Sequence, residues 1–310
     1  MKSAKRDLPA SVKARLLGIA RLRSEEFQRV LVMYAFERLL FRLNRSGHSS
    51  RYILKGAMLV AAWKGGPYRS TKDLDLLCMG DNSPEAQAEI FRQVARTTVE
   101  SDGLVFDPAS VGAERIIEEA EHPGVRVHLT AHLGKARIPL QVDIGFGDPV
   151  TPEPLMLEFP GLLDFPASEV RAYPAETVVA EKYEALVRLG MSTGRIKDFY
   201  DLWYLATHFA FEGPMLQQAI RNTFGARRSP LPLEPPIALT DEFEADPSKQ
   251  ELWKAFTHRA GIVSAGSLGE TLALLRTFLL PVGLQSVGRV PAVWAPGGPW
   301  DDRGRQSKAS

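Results

Sequence analysis

Arg69-Ser70-Thr71-Lys72-Asp73-Leu74-Asp75-Leu76-Leu77 is the stretch whose reading decides the fold. Asp73 and Asp75 stand two residues apart in an apolar run with strand character. Strand side chains alternate faces with period two, so both carboxylates point one way while Leu74 and Leu76 point the other way, into a core. Two carboxylates side by side repel, and burying them unpaired is costly. A hard divalent cation between them resolves the conflict. Magnesium suits best, because it is held by one or two carboxylates together with substrate phosphates. The plainer alternative is a strand whose polar face happens to carry two Asp, although Asp is depleted in strands.

Upstream, Tyr52-Ile53-Leu54 reads as a short strand, Lys55-Gly56-Ala57 as a tight turn, and Met58 to Trp63 as a helix. Such a turn presents backbone N–H groups at a helix N-terminus, where phosphate binds readily. Gly56 lets the backbone approach a ligand closely. Gly65-Gly66-Pro67 ends this helix. Downstream, Val125 to His132 and Ile138 to Ile144 form a hairpin around Gly134-Lys135. Asp143 in its second strand is either a solvent-facing residue or a third metal ligand on a neighbouring strand.

Glu176 to Leu189 has helical period, with Gly190 as its C-cap. Val178, Val179, Lys182, Leu186 and Leu189 share one face, which places a lysine inside an apolar stripe. Snorkelling would account for it. A nucleotide-phosphate ligand or active-site cation is the reading preferred here, because charges intruding on core faces mark sites. A second helix, Ile196 to Thr207, carries Arg195, Lys197, Asp198 and Asp201 around its first turns. Acids there are ordinary dipole and capping chemistry unless they have company.

Taken jointly, these segments resemble the AbiEii/AbiGii nucleotidyltransferase toxins, which include the MenT toxins. The resemblance rests on Leu54-Lys55-Gly56, on Arg69 to Asp75, on Glu176 to Lys182 and on Arg195 to Leu202, and it runs from about Ser24 to the Trp294–Trp300 tail. It implies an α+β fold: a polymerase-β-like nucleotidyltransferase core, a mixed sheet with helices, followed by a mainly helical C-terminal region. It also implies that Asp73 and Asp75 hold magnesium, or manganese in its place, and that Thr71 lies near the incoming phosphates. Lys182 matches the family's nucleotide-contacting lysine and Asp198 its second acid. Lys55 and Arg69 become phosphate contacts. Many relatives carry Gly-Gly or Gly-Ser where this chain has Gly56-Ala57, so position 57 keeps the backbone cradle and lacks a hydroxyl. The implied reaction moves a nucleotide from an NTP to an RNA acceptor, with the tRNA 3′ end leading, and so blocks translation and growth. The implied partner is a cognate antitoxin protein. The competing functions are a catalytically inactive nucleotide-binding module acting through a partner, and a transferase that nucleotidylates protein.

Composition bounds these expectations. The chain has 310 residues, 45% hydrophobic and 24% charged, as in a globular protein with one sizeable core or two smaller ones. It lacks an apolar run of about 18 residues, so no membrane span is expected. Met1 to Arg6 is basic without an apolar h-region, so no secretory signal is expected and the cytoplasm is the default. The single cysteine, Cys78, excludes an intrachain disulfide and reads as core filler. Net charge is +1, so the whole protein is not an electrostatic glove for nucleic acid. Basic residues are nevertheless dense before Arg51, with a smaller group at Arg221, Arg227 and Arg228. Such a surface would suit an RNA backbone, though a solvated helical face is the preferred reading. No P-loop and no G-x-S-x-G elbow occur. His128 and His132 are too far apart along a strand to share one ion.

The expected organisation is N-terminal helices over 1–50, a nucleotidyltransferase core over 51–166, a helical domain over 167–300 and a disordered tail over 301–310. Helices are expected at Ser11 to Leu22, at Glu25 to Leu43 with Ser24 as N-cap, and from Ser83-Pro84 to about Val99. Thr151 to Pro166 reads as a proline-rich connector.

Overall fold

The computed structural model describes residues 7–64, 72–116, 124–260, 262, 265–286 and 288–302. The chain divides into two compact units. One comprises Met1–Gly147 with Pro154–Tyr173, the other Asp148–Glu153 with Pro174–Ser310.

The first unit opens with helices α1 (Leu8–Arg23) and α2 (Phe27–Arg45). Asp7 caps α1 by accepting from the Ala10 N–H, and Ser24 closes it in the left-handed conformation at φ 53°. Ser24 is therefore the stop of α1, not the N-cap of α2: its N–H is spent on the Ala20 and Arg21 carbonyls, and α2 begins only after Glu26. Strand β1 (Tyr52–Lys55), helix α3 (Gly56–Lys64), strand β2 (Leu74–Cys78) and helix α4 (Pro84–Arg96) follow. Ser83 caps α4 as its Ser-Pro opening dictates, accepting from the Ala86 N–H.

The strands β3 (Leu104–Ile116), β4 (Gly124–Leu133), β5 (Ala136–Phe146), β6 (Leu155–Phe159) and β7 (Ser168–Ala172) complete a seven-stranded sheet in the order β3-β4-β5-β2-β1-β7-β6. It is mixed: β2 runs parallel to β5 and β1 parallel to β7, and the other neighbours are antiparallel. On β5, Ile138, Leu140, Val142, Ile144 and Phe146 are buried in strict alternation, matched on β4 by Val125, Val127, Leu129, Ala131 and Leu133. That alternation fixes which face is core and leaves Arg126, Gln141 and Asp143 on the other. Cys78 is buried at the end of β2. Strands β3, β6 and β7 of this sheet are not among the elements expected from the sequence. β3 has its pairing shifted between Asp107 and Gly112, which breaks the period-two signal. β6 lies within the proline-rich stretch expected to be a connector, and its Leu155 and Met156 side chains are exposed.

A charged cluster is buried in this unit. Asp102 takes Arg38 Nε at 2.9 Å and Arg42 Nη1 at 2.7 Å. Arg38 and Arg42 therefore belong to no basic surface: each has its charge matched inside, and Arg38 also donates to the Pro166 carbonyl. Removing one partner of such a cluster would strand a buried charge.

The second unit is mainly helical. It contains α5 (Ala175–Leu189), α6 (Ile196–His208), α7 (Gly213–Ala226), α8 (Asp241–Ala245), α9 (Pro247–Ala260) and α10 (Leu268–Gly283), with a small sheet of β8 (Phe211–Glu212), β9 (Val293–Trp294) and β10 (Trp300–Asp301). Gly190 caps α5 at φ 51°, as its position after the periodic stretch requires. Ser267 and Glu270 form a reciprocal capping box at the start of α10. Trp294 anchors the end of the chain by donating its indole N–H to the Ala206 carbonyl at 2.7 Å and packing on Phe278. Among the described residues no helix is long and apolar enough to cross a membrane.

Candidate functional site

Strand register lines up a row of charged residues across the first unit's sheet. Lys55 on β1 is paired with Asp75 on β2, Asp75 with Asp143 on β5, and Asp143 with Arg126 on β4. Directly opposed residues share a face, so the row reads cation, anion, anion, cation on the side facing away from the alternating core. Asp75 and Asp143 thus form a neighbouring pair of carboxylates, both half-buried.

Gly56 presses against Asp75. Its φ is +71°, and a Cβ built there would lie 2.6 Å from the Asp75 carboxyl carbon and 2.7 Å from the Asp75 Cβ. Only glycine allows this backbone and this approach together. The start of α3, with Ala57 buried in its first turn, is therefore set directly beside a carboxylate. The side chain of Lys55 runs toward Gly145 on β5, its Nζ 3.5 Å from where a Gly145 Cβ would stand, and lies 5.4 Å from the centre of the Tyr173 ring. Asp73 sits just before β2, half-buried, close enough for its charge to act on Arg126. Arg69 and Thr71, the other two expected phosphate contacts, lie outside the described residues.

Arg126 holds Asp143 with a two-pronged grip. Nε donates to Oδ1 at 2.8 Å and Nη2 to Oδ2 at 2.7 Å, and the Gln141 amide reaches the same two oxygens at 3.1 and 3.2 Å. This bond, above all, makes the Arg126 guanidinium hold its proton more firmly. Sequence reasoning did not single out Arg126, although the signal was present. A two-residue turn at Gly134-Lys135 sets Leu133 opposite Ala136, and counting back along both strands places Arg126 opposite Asp143.

The donor set is one a hard cation accepts: carboxylate oxygens on adjacent strands, beside a glycine turn at a helix start. Among the described residues, however, no three His, Cys, Asp or Glu side chains are gathered closely enough to hold an ion. The structure brings Asp75 and Asp143 together. It does not assemble Asp73, Asp75 and Asp143 into a finished cage.

The second unit carries its own charged cluster. Lys182 Nζ lies 2.6 Å from Asp198 Oδ1 and 2.8 Å from Asp201 Oδ2, and Arg195 Nε lies 2.6 Å from the other Asp198 oxygen. Both Asp side chains are 1% exposed and Lys182 is 13% exposed. Burial alone would raise the Asp198 carboxyl, but Lys182 and then Arg195 outweigh burial and the opposing Asp201, and hold it below the usual carboxylate range. Lys182 is thus no snorkelling lysine: its position in the apolar stripe of α5 is met by two acids from α6. Asp198 has the company that separates it from an ordinary capping acid. Asp201, one helical turn further on, shares the lysine and was not among the expected site residues. A second cluster joins Arg227 to Asp148 at 3.0 Å and to Glu184 at 2.9 Å, with Glu184 fully buried.

The family model for the nucleotidyl transferase AbiEii toxin of Type IV toxin–antitoxin systems matches residues 38–262. No curated protein matches the chain. Among solved structures, JHP933 from Helicobacter pylori is 16% identical, with a TM-score of 0.44 over 78% of this chain and 88% of that one. A putative nucleotidyltransferase from H. pylori is 16% identical, with a TM-score of 0.43 over 78% of this chain and 91% of that one.

Proposed function

Because the chain belongs to the AbiEii family of nucleotidyl transferase toxins, we propose that it transfers a nucleotide from an NTP to an RNA acceptor in the cytoplasm, with a tRNA 3′ end as acceptor, and that this blocks translation and growth. Nucleotidyl transfer as the reaction class, a nucleotide substrate and an antitoxin partner follow from membership itself, and the mixed sheet with helices agrees with a polymerase-β-like core. The observation that carries the finer reading is the row Lys55–Asp75–Asp143–Arg126 with Gly56 pressed against Asp75.

Asp75 and Asp143 would hold magnesium, with Asp73 at the entrance to β2 as the third carboxylate. When bound, the ion neutralises phosphate charge and lowers the pKa of an acceptor hydroxyl. The chain's own residues do the rest. The backbone at Gly56-Ala57 and the Lys55 ammonium bind the phosphates, together with Arg69 and Thr71. One carboxylate, Asp75 or Asp143, accepts the proton of the attacking hydroxyl. The hydroxyl oxygen bonds to the α-phosphorus, the bond to the β-phosphate bridging oxygen breaks, and pyrophosphate leaves with that electron pair. Cationic groups offset its developing charge. In the second unit, Asp198 fixes the orientation of the Lys182 ammonium.

The test incubates purified protein with total tRNA, magnesium and each labelled NTP in turn, beside Asp73→Ala. Label in RNA with the wild type alone supports the proposal and names the nucleotide. Label in protein, or nucleotide binding without transfer to any acceptor, overturns the RNA assignment.

A further inference from the structure

The site built around Asp75 and Asp143 is electrically balanced before any ligand arrives. Lys55 stands beside Asp75 and Arg126 grips Asp143, so two carboxylates face two cations along one row. The grip is complete at Asp143. Arg126 takes one lone pair on each oxygen and the Gln141 amide approaches both oxygens again. A divalent cation entering this row would face a carboxylate whose charge and lone pairs are already engaged. It would leave the four residues of the row two charges positive, and the site one charge positive once Asp73 is counted, which is unfavourable without a compensating anion. A nucleoside triphosphate brings that anion.

We propose that Arg126 is a positioning residue that gates cation capture. It holds Asp143 closed to a free divalent cation, and it yields the carboxylate when the cation arrives with a nucleotide triphosphate. The geometry allows the exchange. Arg126 is 31% exposed, so the guanidinium can swing outward, and the arriving cation then answers the charge of Asp143, which is only 17% exposed. Glu114, which also contacts His128 at 3.2 Å, offers it a destination, because it is the residue paired with Arg126 on β3 and its charge already acts on Arg126. The gate makes the protein ignore magnesium alone and respond to the magnesium–nucleotide complex.

This rests on the cation-binding reading of Asp75 and Asp143, and the test separates the two. Manganese is titrated into nucleotide-free protein and free manganese is read by electron paramagnetic resonance, for wild type, Arg126→Gln, Arg126→Lys and the exposed-arginine control Arg137→Gln. The expected result is a gain in manganese affinity of roughly tenfold for Arg126→Gln, the size expected from removing one unit charge a few ångströms away behind partial solvent. Arg126→Lys keeps the charge and stays near wild type, as does Arg137→Gln. The gain disappears when Asp75→Ala is added to Arg126→Gln. Folding of each variant is checked by urea unfolding. A folded Arg126→Gln that binds manganese no more tightly than wild type overturns the gate, and so does an equal gain in Arg137→Gln. Labelled-nucleotide transfer on the same wild-type preparation keeps the outcomes apart: transfer without an affinity gain sinks the gate alone, and absence of transfer sinks the catalytic reading.

Discussion

Replacing Gly56 with alanine attacks the contact that ties the turn to the carboxylates. The new Cβ would stand 2.6 Å from the Asp75 carboxyl carbon and 2.7 Å from the Asp75 Cβ, so backbone or side chain must move. Two costs combine. An L side chain at φ +71° is held in the left-handed region, at about 1–2 kcal/mol. Overpacking against Asp75 adds roughly 1–3 kcal/mol. The expected loss is therefore about 2–5 kcal/mol of unfolding free energy, read by urea denaturation. Activity should fall further than stability explains. A displacement of about 1 Å at a reacting group costs on the order of a hundredfold in rate. A double-mutant cycle isolates the cause. Asp75→Ala removes the carboxylate part of the collision, so Gly56→Ala should cost about 1 kcal/mol less in that background, a coupling typical of residues in contact. If Gly56→Ala is as stable as wild type, or its cost is unchanged by Asp75→Ala, the close approach is not what this position requires.

Other perturbations follow from the buried charges. Lys182→Met leaves Asp198 and Asp201 buried without the cation they share, and should cost about 3–5 kcal/mol in urea unfolding. A cost under about 1 kcal/mol would show that the pair is not held as described. Glu37 is 1% exposed, and burial first of all, against the Leu162 N–H and Arg38, pushes its carboxyl from the ordinary 4.5 up to about 7. The folded state then binds a proton that the unfolded chain releases. Its contribution to stability is present at low pH and declines as pH rises from the unfolded value through the folded one, by about 3 kcal/mol in all. Glu37→Gln should flatten that part of the profile in unfolding measured between acidic and neutral pH, and parallel profiles for the two proteins would refute the assignment.

How much of this could be read from the residues depended on how regular the local signal was. The Asp strand, the glycine turn, the hairpin and the lysine helix were legible because each combines a clean period with a marked end, such as Gly134-Lys135 or Gly190. The strand β3 was not, because its pairing breaks between Asp107 and Gly112 and its side chains lose alternation. Composition misled at Arg38 and Arg42. Their basic neighbourhood suggested a solvated face, but their partner Asp102 lies about sixty residues away and is found only by folding. The candidate acids and Lys182 could be singled out in the sequence, but the residues that pair with them could not. Arg126 and Asp201 act through pairing across strands and helices, and periodicity within one segment does not report such pairs.

The account stands or falls on whether the carboxylate row performs the transfer. The most direct measurement is single-turnover release of pyrophosphate from the preferred NTP, with RNA acceptor and magnesium, by wild type, Asp75→Asn and Asp143→Asn matched for unfolding free energy. The account predicts a fall on the order of a hundredfold or more for both substitutions, since each removes a charge the transition state depends on. Release within a fewfold of wild type by a folded Asp75→Asn protein would contradict it.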